Sequence, residues 1–143
     1  MFNPIEYPNL EAEGHTVRSP KSVKYNCVAW AVGDDRRWWS PQIMYYWPIG
    51  VPRTNSVQAY IQAFGTVGFV ECDDAECANP LYEPNVHRIA LYVLNGIPKH
   101  AARQINAQIW TSKMGSNIDL EHTLRALEGP CYGRVRKILK REP

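Results

Sequence analysis

The sequence predicts an α+β domain in which short N-terminal helices pack on an antiparallel β-meander. Three observations carry that expectation. Apolar residues recur at helical spacing twice in the first half, around Cys27-Val28-Ala29-Trp30-Ala31 and again at Val57, Tyr60, Ile61 and Phe64. The second half is dominated by strand-like runs, of which residues 88–94 (Arg-Ile-Ala-Leu-Tyr-Val-Leu) are the strongest. Between that run and the next lies Asn95-Gly96, the dipeptide best suited to a two-residue hairpin because both residues tolerate positive φ.

The elements follow in order. Residues 1–24 carry Pro4, Pro8, Gly14 and Pro20 and little periodicity, so an irregular N-terminal arm is expected. A first helix is predicted over residues 26–32, capped by Asn26 or Ser22 and ended by Gly33. Residues 36–48 hold Trp38, Trp39 and Trp47 between prolines, which suits a loop that roofs the core with aromatic rings. A second, core-facing helix starts at Asn55-Ser56 and closes at Gly65. A short strand is expected over residues 66–71 and a loop over 72–86. Strands over 88–94, 100–105 and 109–114 make a three-stranded meander. Leu120, Leu124 and Leu127 lie at helical spacing and predict a helix over 119–127, and a basic edge strand over 132–140 ends the chain.

A length of 143 residues suits a single domain over 1–143 with one ordinary core. With 45% hydrophobic and 21% charged residues the chain reads as globular. Its net charge of +2 gives little pull toward nucleic acid, so no nucleic-acid partner is expected. No run approaches the ~20 apolar residues of a membrane helix, and no membrane partner is expected. Residues 1–6 lack a basic n-region and an apolar h-region, which makes the cytoplasm the expected compartment, with export by a route needing no such signal left open. The four cysteines, Cys27, Cys72, Cys77 and Cys131, are then expected as free thiols. Cys72 and Cys77 are widely spaced for a zinc knuckle and no second pair follows, so neither a metal nor a cofactor is expected.

The chemistry concentrates on Cys27 and His100. Cys27 opens the first predicted helix, where the partial positive charge of the N-terminus favours thiolate, the nucleophilic form. His100 begins a strand, and Ala101 and Ala102 leave room beside it. On that strand His100, Ala102 and Gln104 share one face while Arg103 takes the other. On the next strand Trp110, Ser112 and Met114 share a face, opposite Thr111 and Lys113. A catalytic imidazole needs a group that fixes its ring; Ser112, Gln104, Asn117 and Asp119 are the candidates. Lys113 and Arg103 are expected to point away from the substrate. Of the other histidines, His87 is the second candidate for a base, His15 lies in the arm, and His122 is read as part of a helix face.

The order of a helix-borne cysteine, a hairpin, a histidine-led strand and a polar residue 12 positions beyond the histidine resembles the NlpC/P60 and CHAP groups of papain-like cysteine peptidases. The resemblance implies a papain-like fold with Cys27 as nucleophile, His100 as base and Ser112 in the third position. The chain departs from it in having Asn26-Cys27-Val28-Ala29 where Asp-Cys-Ser-Gly is usual, and serine at the third position. The segments Tyr-Asn-Cys-x-Ala-Trp-Ala, Trp-Trp, His-Ala-Ala-Arg-Gln and Trp-x-Ser-Lys-x-Gly also resemble a small bacterial family without known function. The expected activity is therefore thiol acyl transfer (amide cleavage, deamidation or transfer) on a peptide-like or other amide-containing substrate. Asn26, Trp38, Trp39 and Gln104 are the expected substrate contacts. The alternative is a non-catalytic binding or immunity-type protein that uses its aromatic loop as contact surface.

Overall fold

The computed structural model describes residues 5–19, 25–114 and 119–143. The architecture is α+β: one sheet of seven strands in the order β1-β6-β5-β4-β3-β7-β2, with every neighbouring pair antiparallel. The strands are β1 Thr16–Ser19, β2 Val70–Glu71, β3 His87–Leu94, β4 Ile97–Gln104, β5 Trp110–Lys113, β6 Asp119–His122 and β7 Arg134–Arg141. The helices are α1 Pro8–Glu13, α2 Cys27–Ala31, α3 Val57–Gly65 and α4 Asp74–Ala78, with a 3-10 turn at Leu124–Leu127.

Strand alternation divides the core in two. Ile89, Leu91 and Val93 of β3 and Ala101 of β4 face α2 and α3, together with Val28, Ala29, Tyr60 and Phe64. Ala90, Tyr92 and Ala102 face the other way, onto Leu10 of α1, Trp110, Leu120 and Leu127. A residue's parity on β3 or β4 therefore decides which core it joins. Asn95 and Gly96 take φ 52° and 79°, as a two-residue hairpin requires.

The helix starts follow capping chemistry. The Asn26 side chain accepts from the Ala29 N–H at the start of α2, and Ser56 accepts from the Ala59 N–H at the start of α3. Both helices lie close to their expected spans. The meander is also present, and β6 extends it.

Several expectations are corrected. The described part of the N-terminal arm holds α1 and β1. Pro8 sits at a first-turn position of α1, where its missing N–H costs nothing, and Leu10 is buried. The strand expected over 66–71 shrinks to Val70–Glu71. The loop expected over 72–86 contains α4, because the Asp73 carboxylate caps it by accepting from the Glu76 N–H at 2.9 Å. Strand β4 starts at Ile97, three residues early; Pro98 is tolerated because the β3–β4 register shifts there. The helix expected over 119–127 is strand β6 followed by the 3-10 turn. Leu120 faces the sheet core and Asp119 and His122 are buried as well, so pairing with β5 and β1 outweighs the helical leucine spacing. The basic strand β7 is flanked by β3 along its length and by β2 near its end, and so is not a simple edge.

Candidate active site

Cys27 is the first residue of α2. Asn26, the residue before it, joins that helix to the aromatic loop: its Oδ1 also accepts from the Trp39 N–H at 3.1 Å and its Nδ2 donates to the Trp39 carbonyl at 2.7 Å. Trp39 is buried, and its indole N–H donates to Asp34. Trp38 instead stays half-exposed and stacks on Tyr45 with ring centroids 5.7 Å apart. The result is a cleft of about 290 Å³ whose lining includes Asn26, Cys27, Trp38, Tyr45, Tyr60 and His100. Trp39 reaches it as well. Of the seven residues singled out from the sequence, five meet at this cleft.

His100 is 2% exposed and flanked by aromatic rings. The Tyr132 ring lies parallel to the imidazole at 4.2 Å and 7°, and Tyr92, its cross-strand partner on β3, meets it edge-on at 5.5 Å. Each such contact is worth about 0.5–1.5 kcal/mol and, more to the point, fixes the plane of the ring. Its Nε2 is sealed from solvent and has no hydrogen-bond partner among the described residues. Burial holds the imidazole neutral well below its ordinary range, and the nearby His122 acts in the same direction.

The His100 ring and helix α2 lie on opposite faces of the sheet. They meet at an open edge: β4 and β5 pair only at Arg103↔Thr111 and Gln104↔Trp110. On the His100 side of Arg103↔Thr111 the edge of β4 is released, and the Ala101 N–H supports the Cys27 sulfur. Burial pushes the thiol up, while the amides of Ala101, Val28 and Cys27 itself, and the Lys113 ammonium, pull partway back. At neutral pH the resting state is thus a thiol beside a neutral imidazole.

Ser112 and Gln104 lie elsewhere. Ser112 shares the His100 face of the sheet but is fully buried and hydrogen-bonded to His122 Nε2 at 2.7 Å, while His122 Nδ1 meets the Thr123 carbonyl at 2.7 Å. Those contacts set the tautomer: Nδ1–H donates to the carbonyl, and the serine hydroxyl donates to Nε2. Gln104 donates to the Leu81 carbonyl at the far end of β4. Asp119 accepts from the Tyr25 hydroxyl on the α2 face, and Asn117 lies outside the described residues. His87 is exposed at the start of β3.

Sequence reasoning missed the tyrosines that flank His100. Counting back across the Asn95-Gly96 hairpin points to Leu91 instead, because an irregularity between Tyr92 and Val93 shifts the register by one residue. Tyr132 carried no local signal. Lys113, expected on the face opposite His100 and away from substrate, is fully buried on the same sheet face as α2.

Among the described residues no group of three or more His, Cys, Asp or Glu side chains is placed to hold a metal, and no helix is long and apolar enough to cross a membrane. No curated protein and no solved structure matches the chain. A family model does match, over residues 16–140, nearly the whole of the cleft and sheet just described. The chain belongs to that family, DUF7689, a domain of unknown function.

Proposed function

We propose that this protein is a thiol acyl-transfer enzyme on a papain-like, NlpC/P60-like scaffold, with Cys27 as nucleophile and His100 as its base. The observation that carries the reading is that Cys27 and His100, 73 positions apart, line one cleft walled by Trp38 and Tyr45. With Nε2 sealed, Nδ1 is the imidazole nitrogen available to the cleft. The Sγ–H proton passes to it as sulfur attacks the carbonyl carbon of an amide or ester. The Cys27 N–H, one of the first-turn amides that lack an intrahelical partner, donates to the oxyanion that forms. Collapse breaks the bond to the leaving amine or alcohol, which takes the proton back from the imidazolium. Water, or a second amine in a transfer reaction, then releases the acyl group with His100 again accepting a proton. Because thiol and imidazole are both neutral at rest, the proton moves during attack rather than before it.

The test uses a background in which Cys72, Cys77 and Cys131 are alanine. Incubation with p-nitrophenyl acetate and intact-mass measurement should show one acetyl group on Cys27, removable by hydroxylamine. His100→Ala should slow acylation by about 100-fold or more, the usual share of a general base. An unacylated Cys27, or a rate indifferent to His100, overturns the reading.

One observation favours a second reading, a binding protein on the same fold. Two turns beside the cleft leave Ile43 and Met44, and then Ile49, 86%, 88% and 102% exposed. Isolated exposed apolar residues are ordinary, but three within seven positions fit a contact surface. A protein that fails the acylation test and loses a captured partner on Ile43→Ser/Met44→Ser substitution would support it.

A further inference from the structure

Beneath the first turn of α2 lies a charged cluster that protein stability does not explain. Lys113 on β5 and Asp119 on β6 are cross-strand partners, so their side chains share a face, and both are fully buried. That face is the one α2 covers: the Trp30 indole donates to Thr111 Oγ1, next to Lys113. Tyr25, two residues before Cys27, bridges the pair. Its hydroxyl donates to Asp119 Oδ2 at 2.9 Å, and the Lys113 ammonium lies 5.4 Å above its ring. Burying an ammonium and a carboxylate together is seldom favourable compared with apolar residues of the same size. Here the pair sits directly under the candidate nucleophile and is tied to it through Tyr25.

We propose that Lys113, held by Asp119 and Tyr25 beneath α2, is the positioning residue that supplies the counter-charge for the Cys27 thiolate. The inference rests on the acyl-transfer reading and deepens it. When the Cys27 proton moves to His100, the sulfur becomes anionic in a largely desolvated place. Lys113 is the fully buried cation on its side of the sheet, while Arg103, on the same face with its guanidinium 5.4 Å over the Trp30 ring, is partly exposed and water screens it. Burial lowers the Lys113 pKa, and Asp119 and the Cys27 sulfur pull it partway back up. The remaining titratable groups around Cys27 are His100 and Lys99 from β4, Tyr60 from α3, and Tyr132 from the segment before β7. His100 is neutral, and burial holds both tyrosines in the phenol form, so none of these three offers a cation. Lys99 is solvent-exposed, where water screens it.

The rate of Cys27 alkylation by iodoacetamide is measured against pH in the same triple-alanine background. Lys113→Met should move the midpoint up by about one pH unit and slow alkylation at pH 8 about tenfold, the effect of losing one nearby opposite charge. Lys113→Arg should restore most of the rate. Coincident midpoints for the parent and Lys113→Met overturn this inference and leave acylation by p-nitrophenyl acetate, and with it the functional reading, untouched. Lys113→Met removes the buried cation beside Asp119 and can fail to fold, so a second measurement needs no change at Lys113. In lysine-labelled parent protein, the Lys113 Cε resonance should show an inflection at the Cys27 midpoint that vanishes once the sulfur is carbamidomethylated. A resonance indifferent to alkylation overturns the inference equally.

Discussion

Acid should weaken this fold between pH 6.5 and 4, well before its carboxylates are neutralised. The cause is His122, 2% exposed, whose ring accepts from Ser112 and donates to the Thr123 carbonyl. Burial, the largest influence, pushes its pKa down from 6.5 to about 4. As pH falls, the unfolded chain takes up the proton near 6.5 while the folded chain refuses it until about 4, so stability is full above 6.5 and is lost across that window. The gap between 6.5 and about 4, at about 1.4 kcal/mol per pH unit, amounts to about 3 kcal/mol when complete, of which about 2 kcal/mol is lost between pH 7 and pH 5. His100 is shifted in the same direction and adds to the loss. The depressed carboxylates of Asp34 and Glu83 act in a lower window, because their share persists until pH falls below the ordinary carboxylate range. The assay is urea unfolding followed by tryptophan fluorescence at pH 7, 6 and 5. At a typical slope of about 2 kcal/mol per molar, the midpoint should drop by about 1 M or more from pH 7 to 5. His122→Gln should remove about 2 kcal/mol of that dependence. A midpoint flat from pH 7 to 5 would refute the claim that these rings are buried neutral.

Two further outcomes follow from contacts around the same strands. Ser112→Ala strips His122 Nε2 of its donor and should cost about 1–3 kcal/mol in urea unfolding. It should change Cys27 acylation by less than about threefold, whereas a third catalytic residue would cost tenfold or more. Gly133→Ala would place a Cβ 2.1 Å from the Val93 carbonyl oxygen at φ +75°, and should lower stability by about 3 kcal/mol in the same assay. An alanine variant as stable as the parent would show that the β3–β7 junction relaxes freely.

What the sequence made legible was local. Helix α2 has its cap, its apolar run and its terminating glycine within eight residues, and the β3–β4 hairpin has its turn dipeptide in place, so both could be read directly. The failures are non-local. Leu120, Leu124 and Leu127 satisfy a helical period, yet Leu120 belongs to a strand because β5 presents an unpaired edge on one side and β1 on the other. Nothing within 119–127 records those partners. The candidate site divides in the same way. Cys27 and His100 each carry their own signal. The face on which α2 lands is set by its packing on Ala101 and Thr111, and it brings Lys113 under the nucleophile while Ser112 turns toward His122.

Gly133 connects the fold to the chemistry. Strand β7 is bound to β3 from Arg141 back to Arg134, where Arg134 pairs with Val93. The chain then passes so close to the Val93 carbonyl that no side chain fits, and the residue just before this point is Tyr132. The close approach therefore delivers the tyrosine ring onto His100, 32 positions earlier in sequence and two strands away. A hydrogen-bonding third residue would fix the imidazole by direction and would favour imidazolium as well. Aromatic faces fix its plane yet leave it desolvated and neutral, which matches the downward shift at His100. On the proposed reading a neutral base of this kind does not hold a resting thiolate, and the compensating charge would come from Lys113 on the opposite side of the sheet. The flanking tyrosines and the buried Lys113 would on that reading be two halves of one arrangement: the first keeps the base unprotonated until sulfur attacks, and the second offsets the negative charge that builds on sulfur as its proton leaves.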